Sequence, residues 1–287
     1  MTVLGRRQAS LERFLRYGLL GACTFAGVWL ASYVPAADWL MYYGAARAAF
    51  QGHSPYDQPI FVNPPWSISL VAPFAALPPG LGRGLLLVCT FAIWFYAAWR
   101  MRAPRLAVIA MLLSPTAIGS LLAANIDAFV VLGVFLPATW GLLLLLIKPQ
   151  IGAGPAMYDL VDSWRKRRLV GVLLTFAPVI VAYVVSAVLF PVWSDRFLRA
   201  PADVWNRSLF PYGIPIGLGF LWLSFRTRNV MFALASSPFF SPYLTFYSYL
   251  IVQIGLLHED VERFMPRVWL QIILCVLLWA IMLFFKL

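Results

Sequence analysis

Five residues in the first half of the chain carry side chains that could do chemistry at a membrane surface: Asp38, Arg47, His53, Asp57 and Asp127. A carboxylate can take a proton from a weak nucleophile, provided it sits within hydrogen-bond reach. It is costly to place in lipid, so a carboxylate at the end of a membrane helix marks a site or a cavity. These acids do not cluster, and no group of Cys and His has metal-ligand spacing, so neither a metal nor another cofactor is implied. Cys23, Cys89 and Cys275 fall in separate apolar runs and read as small apolar residues with no disulfide between them.

What must position these residues is a membrane bundle. Of 287 residues, 62% are hydrophobic and 11% charged, against about a quarter charged in soluble domains. A surface so poor in charge calls for lipid as solvent. The net charge of +11 would suit nucleic acid, but the basic residues flank apolar runs and form no separate stripe. They read as helix anchors that set orientation, and nucleic acid is not expected as a partner.

Laid across a bilayer, the sequence predicts an all-α fold: one polytopic transmembrane helical bundle over residues 1–287, with about eight crossings of roughly 20 residues each. Residues 1–16 form a cytoplasmic N-terminus with Arg6, Arg7, Arg13 and Arg16 before the first span, 17–34, a retained anchor. The run 85–99 returns to Arg100, Arg102 and Arg105, 106–122 goes out, and 128–147 comes in through Pro137. The cluster Arg165-Lys166-Arg167-Arg168 is cytoplasmic; 169–190 goes out, 209–225 returns to Arg226 and Arg228, and 230–257 goes out again. After an acidic outer loop, 258–262, the run 268–285 ends at a cytoplasmic Lys286, so both termini lie inside a bacterial-type inner membrane. Residues 127–149 also fit two half-helices meeting at Pro137, a re-entrant pair followed by an inward crossing over 152–163, which leaves the side of Lys148 open.

Residues 35–83 form an outer-face segment with two short helices, 39–51 and 66–77, separated by the turn cluster Gly52-His53-Ser54-Pro55-Tyr56-Asp57 and by Pro64-Pro65. Neither helix is long enough to cross about 30 Å of hydrocarbon. Pro78-Pro79-Gly80 ends the second. In plain structural terms Asp38 could cap the first helix and Asp127 its own. Arg47 could be an interfacial anchor, Lys148 a snorkelling cytoplasmic lysine, and His53 and His258 polar loop residues.

An ordered series of motifs resembles a known family. It runs from Asp38-Trp39-Leu40-Met41-Tyr42-Tyr43 through Ala45-Ala46-Arg47, Gly52-His53-Ser54-Pro55-Tyr56-Asp57 and Asn63-Pro64-Pro65 to Pro73 and Leu77-Pro78. The series is similar to the first outer loop of glycosyltransferase family 87, polyprenyl-phosphate-mannose-dependent mannosyltransferases of the GT-C fold. Ala124-Asn125-Ile126-Asp127 stands where the family has Gly-Gln-x-Asn, and Ile147-Lys148-Pro149-Gln150 matches its Ile-Lys-Pro; Ser237-Pro238 with Ser241-Pro242-Tyr243 is similar to a weaker motif. The likeness covers about residues 38–79 and 124–150. Asn125 replaces Gln, Asn63 replaces an aromatic, the chain is shorter than the family's, and 127–148 lacks room for its usual two full spans.

The resemblance implies a membrane glycosyltransferase that moves a sugar, mannose first, from a polyprenyl-phosphate donor to a lipid or glycan acceptor at the outer face. It places the general base at Asp38. Arg47, Lys148, Arg207 and His258 become candidates for the leaving phosphate, and Asn125 and Asp127 for sugar hydroxyls. Tyr42 and Tyr43, with Trp39, Tyr56 and Trp66, could form a sugar-stacking wall or only an interfacial aromatic belt. A flippase or transporter of lipid-linked sugars, or a non-catalytic membrane protein, is the rival reading. Pro-broken spans suit a transporter; the lack of an internal repeat does not.

Overall fold

A computed structural model describes residues 36–58, 60–193 and 205–285, together with Gly27 and Tyr33. The expected cytoplasmic N-terminus, most of the first span, and Lys286 lie outside the described residues. These are all-helical, with no strand among them. Proline and capping residues set the boundaries. Helix α1 (Ala37–Phe50) ends where Gly52 takes φ 76°, a conformation natural to glycine. A single 3-10 turn (Pro55–Asp57) leads through Pro64-Pro65 to α2 (Ser67–Ala75). Helix α3 (Pro79–Arg100) opens on Pro79 in its first turn, where the missing N–H costs nothing.

Helix α4 (Arg105–Leu112) and α5 (Pro115–Ala123) are bent by 60° at their junction. Pro115 follows Ser114, whose hydroxyl accepts from the Ala117 N–H. Helix α6 (Asp127–Val134) and α7 (Ala138–Leu145) are two half-helices that fold back at Pro137. Their backbones touch: a Cβ on Gly141 would lie 2.4 Å from the Gly133 carbonyl oxygen. The two half-helices therefore meet at Pro137 and fold back on each other instead of forming one kinked span.

Helix α8 (Pro149–Leu189) breaks at Arg167 and Arg168, Arg168 having φ 52°. Its arms run antiparallel, since Ser163 Oγ donates to Thr175 Oγ1 at 3.0 Å and the Tyr183 hydroxyl reaches back to the Leu146 carbonyl at 3.2 Å. Helix α9 (Ile214–Thr227) turns through an αL Arg228 into α10 (Val230–Ser236). The 3-10 turns Ser237–Phe240 and Phe246–Tyr249 and helix α11 (Leu250–Gly255) follow, and α12 (Arg267–Phe285) closes the described chain.

Three helical segments among the described residues are long and apolar enough to cross a membrane: Pro79–Arg100, Pro149–Leu189, whose apolar stretch is the arm after the break at Arg168, and Arg267–Phe284. The bent pair α4–α5 makes a fourth if it is one span. Among the described residues this is fewer than the expected crossings, which were about eight over the whole chain. The runs 128–147 and 230–257 are long and apolar enough to read as spans, but both double back. In the second, Asn229 Nδ2 lies 2.6 Å from His258 Nδ1, so the start and end of the run share one end of the bundle. Pro238 and Pro242 break the helix, and each limb is too short to cross.

The expected positions of His258 and of the last helix change with it. His258 shares a small cleft with Arg100, Met101 and Asn229, so it lies at the basic end rather than opposite it. Arg267 donates to the carbonyls of Met101 and Leu257, and Trp279 to that of Leu113. Helix α12 thus starts at the Arg100 end and runs away from it along α4, the reverse of the expected direction. The buried core is built on Trp39, Tyr42, Tyr56, Phe61, Leu86, Met111 and Ile126. Val181, Val184, Val188, Leu277 and Phe284 are exposed on α8 and α12, as lipid-facing positions would be.

Candidate functional site

Three helix breaks and the first turn of α1 meet at the end of the bundle opposite the basic clusters. Asp38 is in that first turn, but α1 begins at Ala37 with Ala36 as N-cap and no side-chain cap. Asp38 is therefore not the cap of its helix; its carboxylate points elsewhere. Trp39 fixes α1 against α3 by donating its indole N–H to the Pro79 carbonyl at 3.0 Å. Tyr42, four residues on from Asp38, shares its helix face.

The second contribution comes from the α5–α6 break. Ala124 ends α5 in the left-handed region. Asn125 then bridges the gap: its Oδ1 accepts from the Asp127 N–H at 2.9 Å and its Nδ2 donates to Ser120 Oγ at 3.2 Å. The cap of α6 is thus supplied by the Asn125 side chain, leaving the Asp127 carboxylate free to face the site.

Lys148 stands at the second of these breaks, between α7 and α8. The carbonyls just before Pro149 have lost their helical partners. Three side chains replace them. Trp66 Nε1 donates to Leu143 O at 3.0 Å, Tyr183 to Leu146 O at 3.2 Å and Asn63 Nδ2 to Ile147 O at 3.0 Å. Asn63 is itself held by the Tyr56 hydroxyl, which donates to its carbonyl at 2.8 Å. The outer segment thus acts as a clamp on the strand of chain that aims Lys148.

The 3-10 turn Phe246–Tyr249 supplies the last members, Tyr247 and Ser248. Lys148 Nζ lies 2.5 Å from Asp127 Oδ1, and Ser248 Oγ donates to Asp127 Oδ2 at 2.9 Å. The Tyr247 hydroxyl donates to Asp38 Oδ2 at 2.5 Å, and Lys148 Nζ is 6.0 Å from the centre of the Tyr247 ring. The buried Tyr42 hydroxyl makes no hydrogen bond of normal geometry, though it feels the charges of Lys148, Asp38 and Asp127.

These contacts sort the charges. Burial opposes the charge of Lys148, but Asp127, then Tyr42, Tyr247 and Asp38, outweigh it and hold the ammonium well above its ordinary pKa. Asp127 and Lys148 form a closed ion pair. Burial raises the Asp38 carboxyl above its ordinary value, although Lys148 and the Tyr247 hydroxyl pull it down. Asp38 has a neutral phenol, not a cation, as its hydrogen-bond partner.

Of the residues singled out from sequence, Asp38, Tyr42, Asn125, Asp127 and Lys148 come together here. Tyr43 flanks the group, its ring 5.4 Å from that of Trp39. Arg47 is exposed near the end of α1. Arg207 is exposed and donates to the Asn206 carbonyl. His258 belongs to the opposite end, where Nδ1 accepts from the Asp260 N–H and lies 2.6 Å from Asn229 Nδ2. Tyr247 and Ser248 were missed; the signal for them was the run of hydroxyl-bearing residues after Pro242, which is unusual for a span. Among the described residues no group of three or more His, Cys, Asp or Glu could hold a metal ion.

No protein-family model, curated protein or solved structure matches this chain.

Proposed function

We propose that this chain is a membrane glycosyltransferase that uses a polyprenyl-phosphate sugar, mannose first, and a lipid or glycan acceptor. The observation that carries the reading is the placement of Asp38, a carboxylate hydrogen-bonded to the Tyr247 hydroxyl beside the largely buried Lys148–Asp127 pair. In the proposed reaction the acceptor oxygen attacks the anomeric carbon. The bond from that carbon to the phosphate oxygen breaks, polyprenyl phosphate leaves, and the acceptor proton passes to Asp38. A base of raised pKa is better matched to that step than an ordinary carboxylate. Lys148 lies next to the base and, shared between Asp127 and the donor phosphate, would supply the positive charge on which the leaving group's negative charge builds. The order of motifs along residues 38–79 and 124–150 supports the same assignment.

A second reading, a transporter or flippase of lipid-linked sugars, draws on the same place. Broken helices meeting at an ionisable cluster are a recurring design of transporters. Purified full-length protein in vesicles loaded with a sugar-labelled polyprenyl phosphate separates the two. Transfer predicts label in a product with a new glycosidic bond. Label that changes leaflet without any new bond supports the transporter and removes the transferase.

A further inference from the structure

The basic end carries a second concave feature that the proposed chemistry does not use. The tip of the α8 hairpin and the end of α9 enclose a cleft of about 610 Å³ lined by Tyr158, Asp162, Arg165, Lys166, Phe225 and Arg228. Its size falls in the range of small-molecule sites, about 300–1,000 Å³. We propose that this cleft holds the phosphate headgroup of an anionic membrane lipid.

The wall is organised. The Tyr158 and Phe225 rings stack with centroids 5.8 Å apart and planes within 8°. The Arg165 guanidinium lies 5.6 Å from the centre of the Phe225 ring, a pose that leaves its N–H edge available for a phosphate oxygen. Lys166 is committed to Asp162 at 2.6 Å; Arg165 and Arg228 form no ion pair with any acid among the described residues. Arg228 stands in the left-handed region at φ 56°, where a helix end ordinarily takes glycine or asparagine. An arginine tolerated there places its charge at the mouth of the cleft.

Charge and surroundings select the ligand. Over residues 158–168 and 225–228 there are six basic residues (Arg165, Lys166, Arg167, Arg168, Arg226, Arg228) and two acidic ones (Asp159, Asp162), a net +4. Beside the cleft, Trp164, Leu169, Val170, Leu218 and Trp222 are all exposed. An anion bound between the arginines therefore adjoins bare apolar surface that would suit acyl chains. A lipid phosphate satisfies both, whereas free phosphate satisfies only the first.

The test is native mass spectrometry of the purified full chain with phosphatidylglycerol, with phosphatidylcholine, and with inorganic phosphate. The expected result is retention of phosphatidylglycerol in preference to phosphatidylcholine. A basic side chain in contact with the bound lipid phosphate is worth roughly fivefold, so Arg165→Gln with Arg228→Gln should weaken retention about twenty-five-fold. Arg100→Gln with Arg105→Gln, at the same end but outside the cleft, should leave it unchanged, and Arg165→Lys with Arg228→Lys should keep most of it. Equal retention of both lipids, or of phosphatidylglycerol by wild type and the Gln pair, overturns the site. Binding of inorganic phosphate without lipid preference shows an anion site and overturns the lipid assignment.

Discussion

The ammonium of Lys148 sits 2.5 Å from the carboxylate of Asp127, and this one pair fixes the path of everything between them. Twenty-one residues separate the two. As one straight helix they would span about 30 Å, so the chain has to return, and it does so at Pro137 with Gly133 against Gly141. Breaking the pair leaves one charge buried and uncompensated, which costs about 3–5 kcal/mol. Lys148→Met should therefore lower the melting temperature sharply. Adding Asp127→Leu should recover much of the loss, because no charge is then stranded. A double variant less stable than Lys148→Met would show that the pair does not hold the hairpin.

The clamp on Lys148 makes a separate prediction. Asn63→Ala strands the Ile147 carbonyl, and loss of a partner by a buried polar group costs roughly 1–3 kcal/mol. Trp66→Phe removes the bond to Leu143 but keeps the ring near Tyr183, whose centroid is 4.7 Å away. Both variants should melt earlier, and Trp66→Phe should lose less than Trp66→Ala. Unchanged melting in Asn63→Ala would mean that water or another group already serves that carbonyl.

Asp38 predicts a pH profile with a definite sign. A base works only when deprotonated, so the transfer rate should fall as pH drops through the Asp38 pKa, which burial holds above the ordinary 3.8. Because the folded state favours the protonated form, Asp38 adds stability below its unfolded pKa. That stability is lost as pH rises through its raised folded value. Tyr247→Phe removes a hydrogen bond that pulls this pKa down, so the acid limb of the rate profile should move to higher pH. A limb that stays in place would separate Tyr247 from Asp38 in the working protein.

Much of this site was legible in the sequence, for a physical reason. Asp38, Asn125, Asp127 and Lys148 are polar groups at the ends of apolar runs, where they stand out. Tyr247 and Ser248 lie inside the run 230–257, whose hydrophobicity is that of a crossing. Apolar length does not distinguish a span from a hairpin buried in protein, so His258 was set at the wrong end and the last helix reversed. Arg47 and Arg207 were candidates by charge alone, and charge says nothing about whether a side chain faces a site or solvent.

The reversed end of the chain is open to direct labelling. Single cysteines placed at Lys166, Arg228 and Arg263, with native cysteines replaced, should all react from one side of a sealed vesicle. A cysteine at Gln58, in the outer segment, should react from the other. A position 263 that labels together with 58 would restore the crossing over 230–257.

Asp38 is the base of the proposed transfer. Asp38→Asn keeps the size and can still accept from Tyr247, but removes the basicity. The measurement is transfer of labelled sugar from a polyprenyl phosphate by the purified protein and this variant, with melting temperature as the control for folding. The expected result is transfer by the wild type and a rate lower by about 10² to 10⁴ in Asp38→Asn, with melting little changed. Equal rates in the two proteins would contradict it.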